Sequence, residues 1–279
     1  MAGFEENYNI FLVPQIHKGN PNDPNPAPDV GWEKAARNDL ESIRKSKVGE
    51  ALLSSIKWHG IPVTIQPLPP GKCSDLTWPI DDYIPPGQKS NISSGPSIWY
   101  SPETHALTHN CEAKYKVFGQ IHIESHEVLL HELVHALRLI SYKFNALRTS
   151  KGFAFHNTTE EVYAVLVQGI YASELGKGIR ASHTRHFPID KELEGSFAFF
   201  QTGTDAFKYV KDFCTQNQGF TRMIARVYTP FNPIRAYYFD PARALRMSQS
   251  KLAKQRDVLQ PIKRDIYWLL KEAFTGATP

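Results

Sequence analysis

The stretch Val128-Leu-Leu-His-Glu-Leu-Val-His-Ala-Leu-Arg-Leu-Ile140 decides the fold of this chain, because its apolar residues recur at the spacing of a helix. Glycine and proline are absent from Ile121 to Lys151, and Glu124 and Glu127 stand where the dipole of a helix start favours acidic residues. The stretch therefore predicts a helix from about Glu124 to Leu147.

Two histidines of this helix form a candidate metal site. His131 and His135 are four residues apart, so they lie on the same face one turn from each other. Both imidazoles can then reach one zinc ion at roughly 2.0–2.1 Å. Such an ion keeps an open position and lowers the pKa of a bound water to about 7. Alternatively, the two histidines are hydrogen-bonded residues of a buried helix.

Glu132 follows the first histidine, where it can reach a water molecule bound to the ion. We expect Glu132 to take the proton of this water as it attacks a carbonyl carbon, and to return the proton to the leaving amine. The pentapeptide thus predicts a catalytic zinc site with its own general base.

A catalytic zinc ion needs a third protein ligand. The nearest acidic residues after His135 are Glu160 and Glu161, which open a second predicted helix from about Thr159 to Leu175 behind the capping residues Asn157 and Thr158. The apolar face of this helix does not separate the two glutamates. One should bind zinc and the other accept a hydrogen bond from a ligand histidine, unless both only balance the helix dipole.

The rest of the chain predicts an α+β fold, mainly helical, with a small sheet packed on the histidine helix. Residues 18–31 and 68–94 are rich in proline and glycine and are expected to form a strap and a loop. The other predicted elements are strands at Tyr8–Pro14, Ile61–Gln66 and Ser97–Tyr100, and helices at about Trp32–Trp58, 204–227 and Pro241–Phe274.

Composition excludes several classes of protein. The net charge of +4 is spread along the chain, so nucleic-acid binding is not indicated. The three cysteines, Cys73, Cys111 and Cys214, lack the paired spacing of a disulfide framework or a zinc finger and are expected to be free thiols. No apolar run is long enough to span a membrane, and the N-terminus does not read as a Sec-type signal.

Two segments together resemble a known family. HELVHAL (His131 to Leu137) with TTEEVYAV (Thr158 to Val165) resembles the zinc metalloproteases among NleD-like type III secretion effectors, and more distantly the clostridial neurotoxin light chains. The similarity covers about residues 125–175. It implies a zincin-like metallopeptidase domain over 32–279, after an N-terminal strap over 1–31. It also implies Zn²⁺ as cofactor and favours Glu160 over Glu161 as the third ligand.

The neurotoxins stabilise their oxyanion with an Arg-x-x-Tyr pair, and Arg235-Ala-Tyr-Tyr238 has this spacing. A guanidinium and a phenol about 3 Å from the developing charge would contribute several kcal/mol. The alternative is a buried aromatic strand with Arg235 at its edge. Further imidazoles that can line the cleft or lie in solvated loops are His156, His183 and His186.

The expected function is that of a zinc-dependent endopeptidase cleaving polypeptide substrates. The resemblance implies a secreted effector or toxin, exported without a Sec-type signal, that acts on a host protein in the cytosol of a host or target cell; without export the protein is expected to be cytoplasmic. The alternatives are a zinc hydrolase of a small amide or ester and a non-catalytic, zinc-stabilised binding module. Glu132 argues against the binding module, because a structural zinc site has no need of a base.

Overall fold

The computed structural model describes residues 4–13, 30–68, 76–79, 95–102, 123–145, 147, 149, 158–180, 189, 192 and 194–255. The helices are α1 (Phe4–Tyr8), α2 (Val30–Lys45), α3 (Lys47–His59), α4 (Ser125–Ile140), α5 (Thr159–Glu174), α6 (Ala206–Gln216), α7 (Gln218–Ile224), α8 (Pro233–Phe239) and α9 (Pro241–Ser248). The strands are β1 (Ile10–Leu12), β2 (Val63–Pro67), β3 (Leu76–Pro79) and β4 (Pro96–Tyr100).

Helix α4 carries the two histidines and packs against α2, α3, α5 and strand β4. The backbone N–H of Glu124 donates to the carboxylate of Glu127 at 2.7 Å, which fixes the first turn. The helix ends at Ile140, before the predicted Leu147, because Tyr142 adopts the left-handed conformation with a φ of 55°. The chain leaves α4 shortly after His135.

The sheet has the strand order β1-β2-β4-β3. Strands β1, β2 and β4 are parallel, with Ile10 opposite Val63 and Ile65 opposite Ile98. Strand β3 runs antiparallel to β4 at the edge and lies within residues 68–94, so the prediction of a loop over the whole of this range is wrong. Proline and glycine around this four-residue strand hide its pattern.

The predicted helix from Trp32 to Trp58 is two helices. Ser46 ends α2 and caps α3, since its side chain accepts a hydrogen bond from the N–H of Gly49 at 2.8 Å. Gly49 lies so close to the preceding helix that a Cβ atom would be 2.0 Å from the carbonyl oxygen of Ile43. Only glycine allows this tight corner.

The C-terminal half is a group of short helices. The predicted helix over 204–227 is interrupted at Asn217, where α6 ends and α7 begins. The side chains of Asn232 and Asp240 cap α8 and α9, each followed by proline at the first helical position. The predicted terminal helix is observed over 241–248 and 251–255, and its remainder lies outside the described residues.

One hydrophobic core joins these elements, and the architecture is α+β and mainly helical. Phe4 and Ile10 belong to this core, so residues 4–13 of the predicted strap are part of the fold, while 14–29 lie outside the described residues. Among the helices that the structure describes, none combines the length and apolar character that a bilayer crossing requires. Helices α4 and α5 pack together at the centre and carry the candidate site.

Candidate metal centre

Helices α4 and α5 bring three potential ligand atoms together, and we call His131, His135 and Glu161 the ligand cluster. The Nε2 atoms of the two histidines are 3.1 Å apart, and Oε2 of Glu161 lies 3.1 Å from His131 Nε2 and 3.7 Å from His135 Nε2. Two ligands that are each about 2.1 Å from a tetrahedral zinc ion are separated by about 3.4 Å. The separations in the cluster therefore fit one zinc ion.

The first turn of α5 decides which glutamate joins the histidines. The hydroxyl of Thr158 accepts a hydrogen bond from the backbone N–H of Glu161 at 3.4 Å and caps the helix. In this turn Glu161 faces the histidines of α4. Glu160, which the family resemblance favours as the third ligand, contacts another partner instead.

The partner of Glu160 is Arg138. Both Glu160 carboxylate oxygens accept hydrogen bonds from the guanidinium of Arg138, at 2.6 and 2.7 Å, and the two side chains are 1% and 0% exposed. The guanidinium also lies 4.5 Å from the ring centre of Tyr163. A buried arginine requires a counter-ion, so Glu160 is held by this pair and the structure replaces it with Glu161 in the cluster.

Burial and neighbouring charges shift the pKa values of the three cluster residues. Burial lowers the pKa of His131 well below its ordinary value. Burial also opposes a charge on His135, but the carboxylate of Glu161, 3.7 Å from His135 Nε2, and the negative charge of Glu132 outweigh this effect and raise the pKa of His135. Burial acts against the charge of Glu161 as well, yet the two histidines hold the pKa of its carboxyl well below the usual range. The cluster thus offers an anionic oxygen and a neutral His131, whereas a proton competes with a metal ion for His135.

Arg180 lies behind the cluster. Its Nη2 atom is 2.7 Å from Nδ1 of His131, and the side chain is buried, which lowers the pKa of Arg180 to about 10. Because a guanidinium only donates hydrogen bonds, Nδ1 of His131 is the acceptor and the ring proton is on Nε2. A neutral His131 that binds a metal through Nε2 carries its proton on Nδ1 instead. The contact between Arg180 and His131 must therefore open when a metal binds.

Glu132 lies on α4 next to His131 and is buried. Its negative charge contributes to the raised pKa of His135, and it is not one of the three residues of the ligand cluster. Its role as the base that contacts a metal-bound water stays a prediction.

Arg235 and Tyr238, the predicted oxyanion stabilisers, lie on α8 with other partners. The guanidinium of Arg235 donates to the carbonyl oxygen of Ala225 at 3.1 Å and lies 4.4 Å from the ring centre of Phe239. The hydroxyl of Tyr238 is 2.9 Å from that of Thr221. These partners lie on α7, at its C-terminal end and on α8, and none of them belongs to the ligand cluster, so the oxyanion role stays a prediction.

The structure also shows residues that sequence reasoning did not single out. Arg138 and Arg180 follow no motif, although Arg138 is a charged residue within an apolar helix and so signals a buried partner. Phe144, just after α4, has its ring centre 6.1 Å from that of His135. The additional imidazoles named from the sequence, His156, His183 and His186, lie outside the described residues.

No family model, curated protein or solved structure matches this chain.

The chemistry of the site follows from its donor set. Two histidine nitrogens and one glutamate oxygen are the protein ligands of catalytic zinc in several peptidases, whereas structural zinc sites close the fourth position with cysteine or histidine. Within the described residues the group has three members, His131, His135 and Glu161, which leaves a position for water or substrate.

Proposed function

We propose that this protein is a zinc-dependent endopeptidase. The observation that carries the proposal is the ligand cluster, whose three donor atoms are 3.1–3.7 Å apart, together with Glu132 beside it on the same helix. His131, His135 and Glu161 would hold the ion. Glu161 replaces Glu160 as the proposed third ligand, because Glu160 is bound to Arg138.

The bound zinc ion supplies Lewis acidity, which polarises a carbonyl group and lowers the pKa of water to about 7. Glu132 accepts the proton of the attacking water and delivers it to the leaving amine. The burial of the histidines and of Glu132 keeps bulk water from these groups, so their charges act strongly on one another. The negative charges of Glu161 and Glu132 act on the guanidinium of Arg180 and partly offset its positive charge beside the cluster.

We also propose a zincin-like arrangement for the fold around this centre. Helix α4 provides the two histidines and Glu132, α5 provides the glutamate, and the sheet with its antiparallel edge strand β3 packs on α4. The resemblance of residues 125–175 to NleD-like effectors supports a secreted effector or toxin that acts on a protein in the cytosol of a host or target cell. In that cytosol we expect the substrates to be polypeptides.

The test is labelling of new protein N-termini in a eukaryotic cell lysate. The lysate is treated with zinc-loaded wild-type protein or with the zinc-loaded Glu132→Gln variant, which keeps the ligands but lacks the base. New N-termini that appear only with the wild type support the endopeptidase. If the wild-type protein binds zinc and produces none at any concentration or with any lysate, the proposal is wrong and a binding module or a small-amide hydrolase replaces it.

A further inference from the structure

Three large apolar side chains are exposed in the short segment that follows α4. Tyr142, Phe144 and Leu147 are 53%, 41% and 55% exposed, and we call these three residues the apolar rim. A single exposed apolar residue is ordinary on a protein surface. A group of three in six consecutive positions is the kind of exposed patch that marks a binding site.

Hydrogen bonds tie the described residues of this segment to helices α4 and α5. They are Lys143 N–H to Arg138 O at 2.8 Å, Asn145 N–H to Glu160 Oε1 at 2.6 Å, and Thr159 N–H to Leu147 O at 2.9 Å. Arg138 and Glu160 thus hold the rim as well as each other. A surface that is ordered before binding loses little entropy when a ligand arrives.

Phe144 and Leu147 of the apolar rim lie beside the elements that carry the ligand cluster. The ring of Phe144 is 6.1 Å from that of His135, at an interplanar angle of 69°. Glu161 is the most exposed member of the cluster, with 21% of its side chain accessible against 3% for His131 and 8% for His135. Leu147 is bonded to Thr159 in the helical turn that carries Glu161. The cluster therefore reaches solvent beside the rim.

The distance between Phe144 and His135 indicates which kind of substrate fits the apolar rim. An extended polypeptide advances about 3.3 Å per residue. A peptide bond held at the cluster therefore places a side chain of the first or second neighbouring residue at Phe144, 6.1 Å from the His135 ring. A small amide would leave most of the rim uncovered. The rim fits an extended chain with an apolar side chain at this distance.

We infer that the apolar rim is a substrate subsite and that the preferred substrates are polypeptides with a large apolar side chain within two residues of the scissile bond. This inference rests on the proposed endopeptidase function. Phe144 would contact that side chain directly, and Leu147 would extend the contact along the substrate. A well-buried apolar contact of this kind changes kcat/KM by about 10–200-fold.

The experiment uses a peptide library in which each position around the cleaved bond carries every residue type in turn. Zinc-loaded wild-type protein should cleave peptides with a large apolar residue at one such position at least about tenfold faster than peptides with alanine there. Phe144→Ala and Leu147→Ala should remove this preference, and Phe144→Leu should retain part of it. Trp58→Ala is the matched control, because Trp58 is an 83% exposed aromatic residue at the end of α3.

Peptide binding gives a second readout that does not depend on turnover. In the zinc-loaded Glu132→Gln background, fluorescence anisotropy should show at least about tenfold weaker binding of the apolar peptide when Phe144 is replaced by alanine. Zinc content is measured for every variant. If Phe144→Ala also loses zinc, the Leu147→Ala variant provides the test of the subsite. Leu147 bonds to the start of α5 through its backbone only, so this substitution keeps that hydrogen bond.

The outcomes separate the two proposals. Cleavage without apolar preference, or a preference that survives both alanine variants, overturns the subsite and leaves the endopeptidase standing. Absence of cleavage of every peptide by zinc-loaded wild-type protein overturns both. A preference lost in Phe144→Ala or Leu147→Ala and kept in Trp58→Ala supports both.

Discussion

Adjacent glutamates on one helical turn have different roles in this structure, and replacing each by glutamine separates them. Glu161→Gln removes the anionic ligand atom that lies 3.1 Å from His131 Nε2. We expect zinc affinity to fall by far more than the 10–100-fold that is typical of losing a residue that only supports a ligand. The metal-free protein should also lose some stability, because the two histidines lower the pKa of Glu161, but less than on loss of Glu160, because 21% of the Glu161 side chain is exposed.

Glu160→Gln should have the opposite effect. It leaves the guanidinium of Arg138 without its counter-charge, and the two side chains are 0% and 1% exposed, so water cannot compensate. Breaking a buried ion pair on one side costs about 3–5 kcal/mol. This is a large part of the roughly 5–15 kcal/mol that holds a typical domain folded. Zinc affinity of the molecules that remain folded should fall within the smaller range of about 10–100-fold.

Two measurements check this pair of variants. Urea denaturation of the metal-free proteins, followed by circular dichroism, gives the loss of unfolding free energy, and competition with a chelator gives the zinc affinity. The double variant Arg138→Met/Glu160→Met is the control, since it removes both charges together and should be more stable than either single charge deletion.

The reasoning is refuted if Glu160→Gln loses more zinc affinity than Glu161→Gln and its midpoint of urea unfolding equals that of the wild type. Glu160 would then be the ligand, and the first turn of α5 would be rotated from its position in the structure. Equal and small effects of both variants on zinc affinity would place the third ligand on another residue.

Four further outcomes are expected. Wild-type protein should carry about one zinc ion per chain, and replacing either histidine of the cluster, for example His131→Ala, should abolish most of the binding measured by elemental analysis. Glu132→Gln should retain zinc and fold but lose several orders of magnitude in kcat, measured on any peptide that the wild type cleaves. Arg180→Met should raise zinc affinity in the chelator competition, because it removes a cation 2.7 Å from His131 Nδ1 and frees this nitrogen to carry the ring proton; an unchanged or lower affinity would contradict this reasoning. Burial raises the pKa of Cys214 to about 12, so iodoacetamide at pH 8 should label it only after denaturation in a variant whose other two cysteines are serine.

Local signals in the sequence were sufficient to predict the two central helices, α4 and α5. Apolar periodicity and the absence of glycine and proline predicted α4, and the capping residue Thr158 predicted the start of α5. The spacing of the two histidines also placed their Nε2 atoms side by side, because one helical turn determines that geometry. These features depend on residues within one or two turns of each other.

Features that depend on distant residues could not be predicted in this way. The corner at Ser46 requires Gly49 to approach Ile43, which periodicity over 32–58 does not reveal. Strand β3 exists because it pairs with β4, and its own four residues carry too weak a pattern. The corner depends on the close approach of two helices and the strand on pairing with a neighbour, and apolar periodicity reveals neither contact.

The choice between Glu160 and Glu161 shows how one overlooked residue changes a site prediction. Neighbouring positions on a helix differ by about 100° in direction, so the rotation of α5 decides which carboxylate faces the histidines. That rotation is fixed by Arg138, three residues after His135, whose buried guanidinium takes the carboxylate of Glu160 at 2.6 Å. An arginine on an apolar helix cannot remain unpaired in the core. The sequence therefore shows that Arg138 and a metal ion would compete for the same two carboxylates, but the packing of α4 against α5 decides which glutamate each one takes, and in the structure Arg138 takes Glu160 and leaves Glu161 beside the histidines.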